Sequence, residues 1–279
     1  MGHAEHLFPA KGLGAGGRPA IGYIDQTGSL VIPYRYLITW GRFSEGLAAV
    51  QPLKSKMLGY IDRKGTMVIS PRFDDAFPFS NGLARVQKGG KTGFIDKSGK
   101  FIVPPQYEDG QDFSEGRAAI QDKDGLWGYI NRKGEVLIQA KFVSARSFFE
   151  GRAAVQTVPG VNPKHPPAAS QLIMSDQGQW GLIDQHGRWI VKPKYDAVGN
   201  FSEGMAPVIR DGRSGYMNRK GKIVIPLDYR FAGDFSEGLA PALKQDRWGF
   251  LNKHGQWVIP PRFDQAGPFS DGLACVKIN

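Results

Sequence analysis

Apolar and polar positions along the chain follow a pattern that returns about every 34 residues. Its clearest copy reads Trp248-Gly249-Phe250-Leu251-Asn252, then Lys253-His254-Gly255, then Trp257-Val258-Ile259-Pro260. Enrichment in aromatic and β-branched residues predicts a strand for the first segment. Asn252, with Gly255 three residues on, predicts a type I turn leading into a bulge. The Asn side chain bonds nearby backbone and Gly accepts positive φ. The apolar return segment, as in Ile223-Val224-Ile225, predicts a second strand. Pro33, Pro71, Pro104, Pro193, Pro226 and Pro260 are expected to stop that strand, because proline has no N–H for a ladder. A loop of roughly ten residues then reaches a Phe-Ser-Glu-Gly corner. The following Gly-Leu-Ala-Ala-Val predicts a third strand.

The equivalent glycines are Gly22, Gly59, Gly93, Gly128, Gly181, Gly215 and Gly249, which makes seven units. The spacing is regular except before Trp180, where an insertion at about 156–179 lengthens one connection. Phe43, Phe79, Phe113, Phe148, Phe201, Phe235 and Phe269 hold equivalent places at the corners. These phenylalanines and the tryptophans that precede the glycines are expected in the core. A unit this short cannot bury such rings alone, so neighbouring units must cover them. The glycine after each tryptophan position suggests close backbone approach across strands.

The expected fold is therefore all-β: seven tandem three-stranded meanders of about 34 residues. An open, twisted β-solenoid-like array is favoured over a closed seven-bladed ring, since blades of four strands usually need about 40–45 residues. Residues 1–20 form a Gly-rich leader or N-terminal cap, and 21–279 form the repeat domain. Glu5-His6-Leu7-Phe8-Pro9-Ala10 resembles Glu237-Gly238-Leu239-Ala240-Pro241-Ala242, which suggests a degenerate strand. Gly12-Leu13-Gly14-Ala15-Gly16-Gly17 matches a dinucleotide-binding glycine pattern in form. A strand-like Ile21-Gly22-Tyr23-Ile24 follows it where that motif requires a helix.

Composition adds a soluble globular character, with 41% hydrophobic and 22% charged residues. No apolar run approaches the ~18 residues that would cross a bilayer. The N-terminus shows no signal-peptide pattern, which fits a cytoplasmic protein, or an extracytoplasmic one after signal removal. Cys275, the one cysteine, excludes an intrachain disulfide and is expected to be a small buried apolar residue. The net charge of +10 is expected to sit largely on the hairpin tips. An acidic line formed by Glu45, Glu115, Glu150, Glu203, Glu237 and Asp271 is expected elsewhere on the surface.

Catalytic chemistry is not visible. Gly90-Lys91-Thr92 lacks the upstream glycine of a phosphate loop, since Arg85 stands in its place. No G-x-S-x-G occurs. His186 and His254 fall on separate hairpin tips beside cations, which reads as solvated surface. The Asp/Asn turns offer too few carboxylates for calcium. No catalytic, metal or cofactor-binding residue is assigned.

Units such as Trp180-Gly181-Leu182-Ile183-Asp184-Gln185-His186-Gly187, with Phe201-Ser202-Glu203-Gly204, resemble the bacterial WG-repeat (KWG-repeat) family. The resemblance runs from about residue 21 to 279, although the signature tryptophan stands only at Trp127, Trp180 and Trp248. It implies a β-repeat architecture and a binding or scaffold role, and it carries no catalytic residues. The functional expectation is a non-enzymatic scaffold for an unknown protein partner. The alternative is a module that binds an anionic polymer, an envelope polymer or nucleic acid, through basic tips. Candidate contact residues are Arg63, Lys64, Arg132, Lys133, Arg219 and Lys220 on the tips. Pro159, Pro163, His165 and Pro166 are the candidates in the insertion.

Overall fold

A computed structural model describes residues 7–39, 43–157 and 179–278. These residues form antiparallel strands, with one 3₁₀ turn at Ala15–Gly17 and no α-helix among them. The chain divides into two compact units, residues 1–123 with 130–136, and residues 124–129 with 137–279. In the first, Phe8–Leu13, Pro19–Ile24, Leu30–Thr39, Leu47–Pro52, Leu58–Asp62 and Met67–Phe73 form a six-stranded sheet in sequential order. Asp75–Ser80, Leu83–Lys88, Lys91–Ile95 and Phe101–Tyr107 form a four-stranded one.

The second unit repeats one plan. Ala197–Val198, Met205–Arg210, Arg213–Asn218 and Ile223–Tyr229 form one sheet. Phe231–Ala232, Leu239–Lys244, Arg247–Asn252 and Trp257–Phe263 form the next. These two sheets thus have four strands where three were expected. The extra strand is short and comes from the loop before the corner, where residues such as Ala197 and Val198 pair with Ile209 and Val208. A two-residue strand has no periodicity to read, so only its neighbour reveals it.

The return strand also continues through its proline. Ser214 faces Tyr229 while Tyr216 faces Ile225, so the return strand bulges between Ile225 and Tyr229. Pro226 lies in that bulge, where a missing N–H breaks no ladder bond. The bulge explains the glycine across from it. A Cβ on Gly215 would lie 2.6 Å from the Ile225 carbonyl oxygen, and one on Gly249 would lie 2.5 Å from that of Ile259. The expected close backbone approach is present.

The hairpin tips form as their sequence predicts. Asp62 Oδ1 accepts the Lys64 N–H at 2.9 Å and the Thr66 N–H at 2.8 Å. The Gly65 N–H donates to the Asp62 carbonyl at 2.9 Å, with Gly65 at φ 78°. The leader is likewise a strand. Pro9 pairs with Tyr23 and Ala10 with Gly22, the register in which Pro241 pairs with Phe250 and Ala242 with Gly249. Its glycines enter a short turn before the strand Pro19–Ile24, with no helix to cradle a phosphate.

The core is built on a ring pair. The residue following the repeat glycine is aromatic in every unit but the one with Leu182, and packs against a corner phenylalanine, tilted or edge to face. Tyr60 meets Phe79 at 5.1 Å between centroids, Tyr129 meets Phe148 at 4.8 Å, and Tyr216 meets Phe235 at 4.9 Å. All six of these rings are fully buried. The tyrosine hydroxyls are satisfied by loop carbonyls, Tyr60 to Phe77, Tyr129 to Arg146 and Tyr216 to Gly233, at 2.7–2.8 Å. Burial pushes their ionisation well above the ordinary tyrosine value.

The tryptophans are a correction. Trp127, Trp180 and Trp248 are only partly buried, because the WG position sits at the end of its strand and outside the ring pair. Trp248 leans on Phe231, itself 45% exposed. Trp248→Ala is therefore expected to cost about 1–2 kcal/mol, less than loss of a buried ring. Urea denaturation followed by circular dichroism checks this; a loss as large as that of a core phenylalanine would place Trp248 in the core. Cys275 is a second correction. It is exposed, because its strand Leu273–Lys277 pairs only with Gln265–Ser270 among the described residues.

Candidate binding surface

The Phe-Ser-Glu-Gly corners are tight hairpin turns. The Ser44 N–H donates to the Leu47 carbonyl at 2.9 Å and the Leu47 N–H returns to Ser44 at 3.1 Å. Between them Glu45 sits at φ 50°, a left-handed conformation repeated at Asn81, Glu115, Glu150, Glu203, Glu237 and Asp271. Asn and Asp tolerate it, whereas Glu is strained by roughly 1–2 kcal/mol. Contacts to the next corner offset that strain. The Gly82 N–H donates to the Glu45 carboxylate at 3.1 Å, Gly204 to Glu150 at 2.9 Å, and Gly238 to Glu203 at 3.1 Å. The corner serine hydroxyls follow the same course, Ser44 donating to the Phe79 carbonyl at 2.6 Å and Ser202 to that of Phe235 at 2.7 Å.

Tips and corners adjoin. Lys97 bonds Glu45 at 3.1 Å, Arg219 bonds Glu150 at 2.7 Å, and Lys253 bonds Glu203 at 2.9 Å. Each tip belongs to the unit two after its corner, so the acidic line lies beside the basic edge and not elsewhere. Among the candidate contacts, Arg219 is thus engaged inside the fold, and the Arg132 guanidinium lies against Gly82 with Glu45 nearby. Arg63, Lys64, Lys133 and Lys220 project as exposed tip residues. Pro159, Pro163, His165 and Pro166 lie outside the described residues. The insertion leaves and re-enters at the Thr157–Gln179 pair, the same hairpin end that Lys244 and Arg247 close elsewhere.

These carboxylates titrate low. Glu150 is held below the ordinary 4.5 by the Arg219 guanidinium and the Gly204 N–H, and Glu203 by Lys253 and the Gly238 N–H. For Glu45, burial pushes upward but the Gly82 N–H and Lys97 more than offset it. A depressed folded value means the contribution is present above the ordinary carboxylate value and is lost as pH falls through the folded one. A Glu45→Gln/Glu150→Gln/Glu203→Gln variant is expected to flatten the fall of the unfolding midpoint below about pH 4.5. The effect per site is small because these groups are largely solvated. Thermal melts across the acid range would show it, and an unchanged slope would separate the corners from acid stability.

An open polar depression of about 570 Å³ lies over the turns at Gly212 and Gln245. Two of its cations are paired, Lys244 bonding Asp228 at 2.6 Å and Arg230 bonding Asp246, and Arg213 also lines it. His186 and His254 are exposed on their tips. No group of three His, Cys, Asp or Glu side chains that could hold a metal occurs among the described residues. No helix there is long and apolar enough to cross a membrane.

Seven copies of one strand pattern, joined by recurring side-chain-to-backbone bonds, define a tandem β-repeat protein. The WG containing repeat model matches residues 21–52, 59–91, 93–127, 127–157, 180–213, 215–248 and 248–279, and the chain belongs to that family. No curated protein matches the sequence. Among solved structures, the fold is similar to the computationally designed Ika8 protein at 12% identity and TM-score 0.52, over 99% of this chain and 94% of that one. It is also similar to a structure titled as the eukaryotic initiation factor, at 12% identity and TM-score 0.55, over 89% of this chain and 72% of that one.

Proposed function

We propose that this chain is a non-enzymatic repeat scaffold that mediates protein–protein interaction. The supporting observation is how its recurring side chains are used. The corner Phe, Ser and Glu and the turn Asp or Asn are taken up by packing, turns and contacts between repeats. The remaining exposed positions of the tips and strands are left for contact with a partner, as in other stacked-repeat binders. The immobilised full chain, exposed to the soluble proteins of a cell that carries it and cross-linked, is expected to retain a protein with cross-links on the repeats. Turnover of a small molecule by the purified chain would overturn the non-enzymatic reading.

A second reading, binding of an anionic polymer, is favoured by the exposed Arg63, Lys64, Lys133 and Lys220. It requires steep weakening with salt. An affinity for polyphosphate that is flat between low and high ionic strength removes it.

A further inference from the structure

The outward face of the return strands repeats a pattern of its own. In Ile223–Tyr229 the inward residues Ile225 and Tyr229 are buried, and Val224, Pro226 and Asp228 face out. The second residue of the return strand is aliphatic in all seven units, Val31, Val68, Ile102, Leu137, Ile190, Val224 and Val258; Ile102 and Ile190 pack against the core and the other five face out. Val31 is 44% exposed, Val68 46%, Leu137 43%, Val224 39% and Val258 53%. Isolated exposed aliphatics need no explanation. A strand position that needed only β propensity would accept Thr or Tyr as readily, and none occurs here. The exposed row also carries an aggregation risk that unselected edges avoid.

Cations accompany the row. In the second compact unit, Lys141, Lys192, Lys194 and Arg262 are outward and exposed on the same strands. The outward acid is Asp228, which Lys244 neutralises at 2.6 Å. Lys141, Lys194 and Arg262 lie over the rings of Phe142, Tyr195 and Phe263 at 5.0–5.4 Å, so their positions are set by packing. Successive return strands abut end to start within this unit. Phe142 packs on Trp189 at 6.0 Å, Ile223 joins the cluster around Tyr195, and Tyr229 packs on Trp257 at 5.7 Å. The result is a ribbon in which Leu137, Val224 and Val258 are the exposed aliphatics and Lys141, Lys192, Lys194 and Arg262 the cations, with Gln139, Pro226 and Pro260 between them.

We infer that this ribbon, spanning the return strands 137–142, 189–195, 223–229 and 257–263, docks an extended acidic polypeptide with interspersed aliphatic residues. The inference rests on the protein-binding reading above and names its surface and partner chemistry. Outward side chains recur every second residue, roughly 6.6 Å apart, which matches one face of an extended chain. The cations complement carboxylates, and the aliphatics would be wasted on a polysaccharide or a nucleic-acid backbone. Pro193, Pro226 and Pro260 withhold backbone donors along these strands, so side chains and not strand addition supply the recognition.

The test uses the full chain and a labelled peptide of about twelve residues alternating Glu with Val, read by fluorescence anisotropy. Saturable binding is expected. It should weaken by roughly tenfold or more in Lys141→Glu/Lys192→Glu/Lys194→Glu/Arg262→Glu, with higher salt acting in the same direction. Should that variant not fold, Lys192→Glu alone and Leu137→Ser/Val224→Ser/Val258→Ser are each expected to weaken binding several-fold while keeping a cooperative melt. Lys133→Ser/Lys220→Ser should bind as the parent does. Absence of saturable binding overturns the inference, as does equal affinity for an oligo-Glu peptide together with indifference to the aliphatic-to-Ser changes. Binding to phosphatidylserine vesicles but not to the peptide would replace the peptide with a membrane. If a cross-linked partner maps to other residues while the peptide fails, the scaffold reading stands and this surface falls.

Discussion

Phe235→Ala is expected to lower stability by about 3–5 kcal/mol, the largest single effect in the molecule. The ring is 1% exposed and sits 4.9 Å from Tyr216, whose hydroxyl is already tied to the Gly233 carbonyl at 2.7 Å. Truncation therefore leaves a cavity between two pinned elements. Tyr216 is held by its own hydrogen bond and cannot swing in to fill the gap, so relaxation recovers little. Phe235→Leu keeps most of the volume and should cost under about 1.5 kcal/mol. Urea midpoints for the pair measure the difference, and equal midpoints would mean that the ring pair does not hold the corner to its sheet.

Gly249→Ala should be the second most damaging change, at about 3 kcal/mol, although it adds one methyl group. The added carbon would meet the Ile259 carbonyl oxygen at 2.5 Å and the Pro261 nitrogen at 2.8 Å, both of them backbone. Neither can move without opening the bulge that lets the return strand carry its prolines. Gly204→Ala is the informative contrast. It has positive φ at 86° but nothing within 4 Å of the added carbon. It should cost only the left-handed strain of about 1–2 kcal/mol. If Gly204→Ala proves as damaging as Gly249→Ala, backbone conformation and not close approach explains the repeated glycine.

Much of this fold was readable beforehand, and the unreadable parts share a cause. The Asp-x-x-Gly tips declare themselves because side chain, turn and bulge lie within four residues, as at Asp62 and Gly65. Phe79, Phe148 and Phe235 were recognisable as core from size and recurrence. The left-handed glutamates were not. Glu is a poor residue for that conformation, and what steadies Glu150, the Gly204 N–H, lies 54 residues away. The same distance problem hides the Arg219–Glu150 pair, which turns an apparent contact cation into a brace. Trp248 misled through its type, since a tryptophan's burial depends on what its neighbours leave uncovered. Of the candidate surface, the tips were legible as charge. The outward row of Val224 and Val258 was hidden because alternation marks which residues share a face without saying which face is covered.

The short strand taken from each loop has one more consequence. Ile223–Tyr229 ends one sheet and Phe231–Ala232 opens the next, with Arg230 alone between them. The sheets are therefore laid out of step with the sequence repeats, like courses of brick with staggered joints. A protein cut at the conventional repeat boundary would end in half a sheet. Engineered truncations should therefore be placed between Tyr229 and Phe231, where the sheets and not the sequence motifs divide.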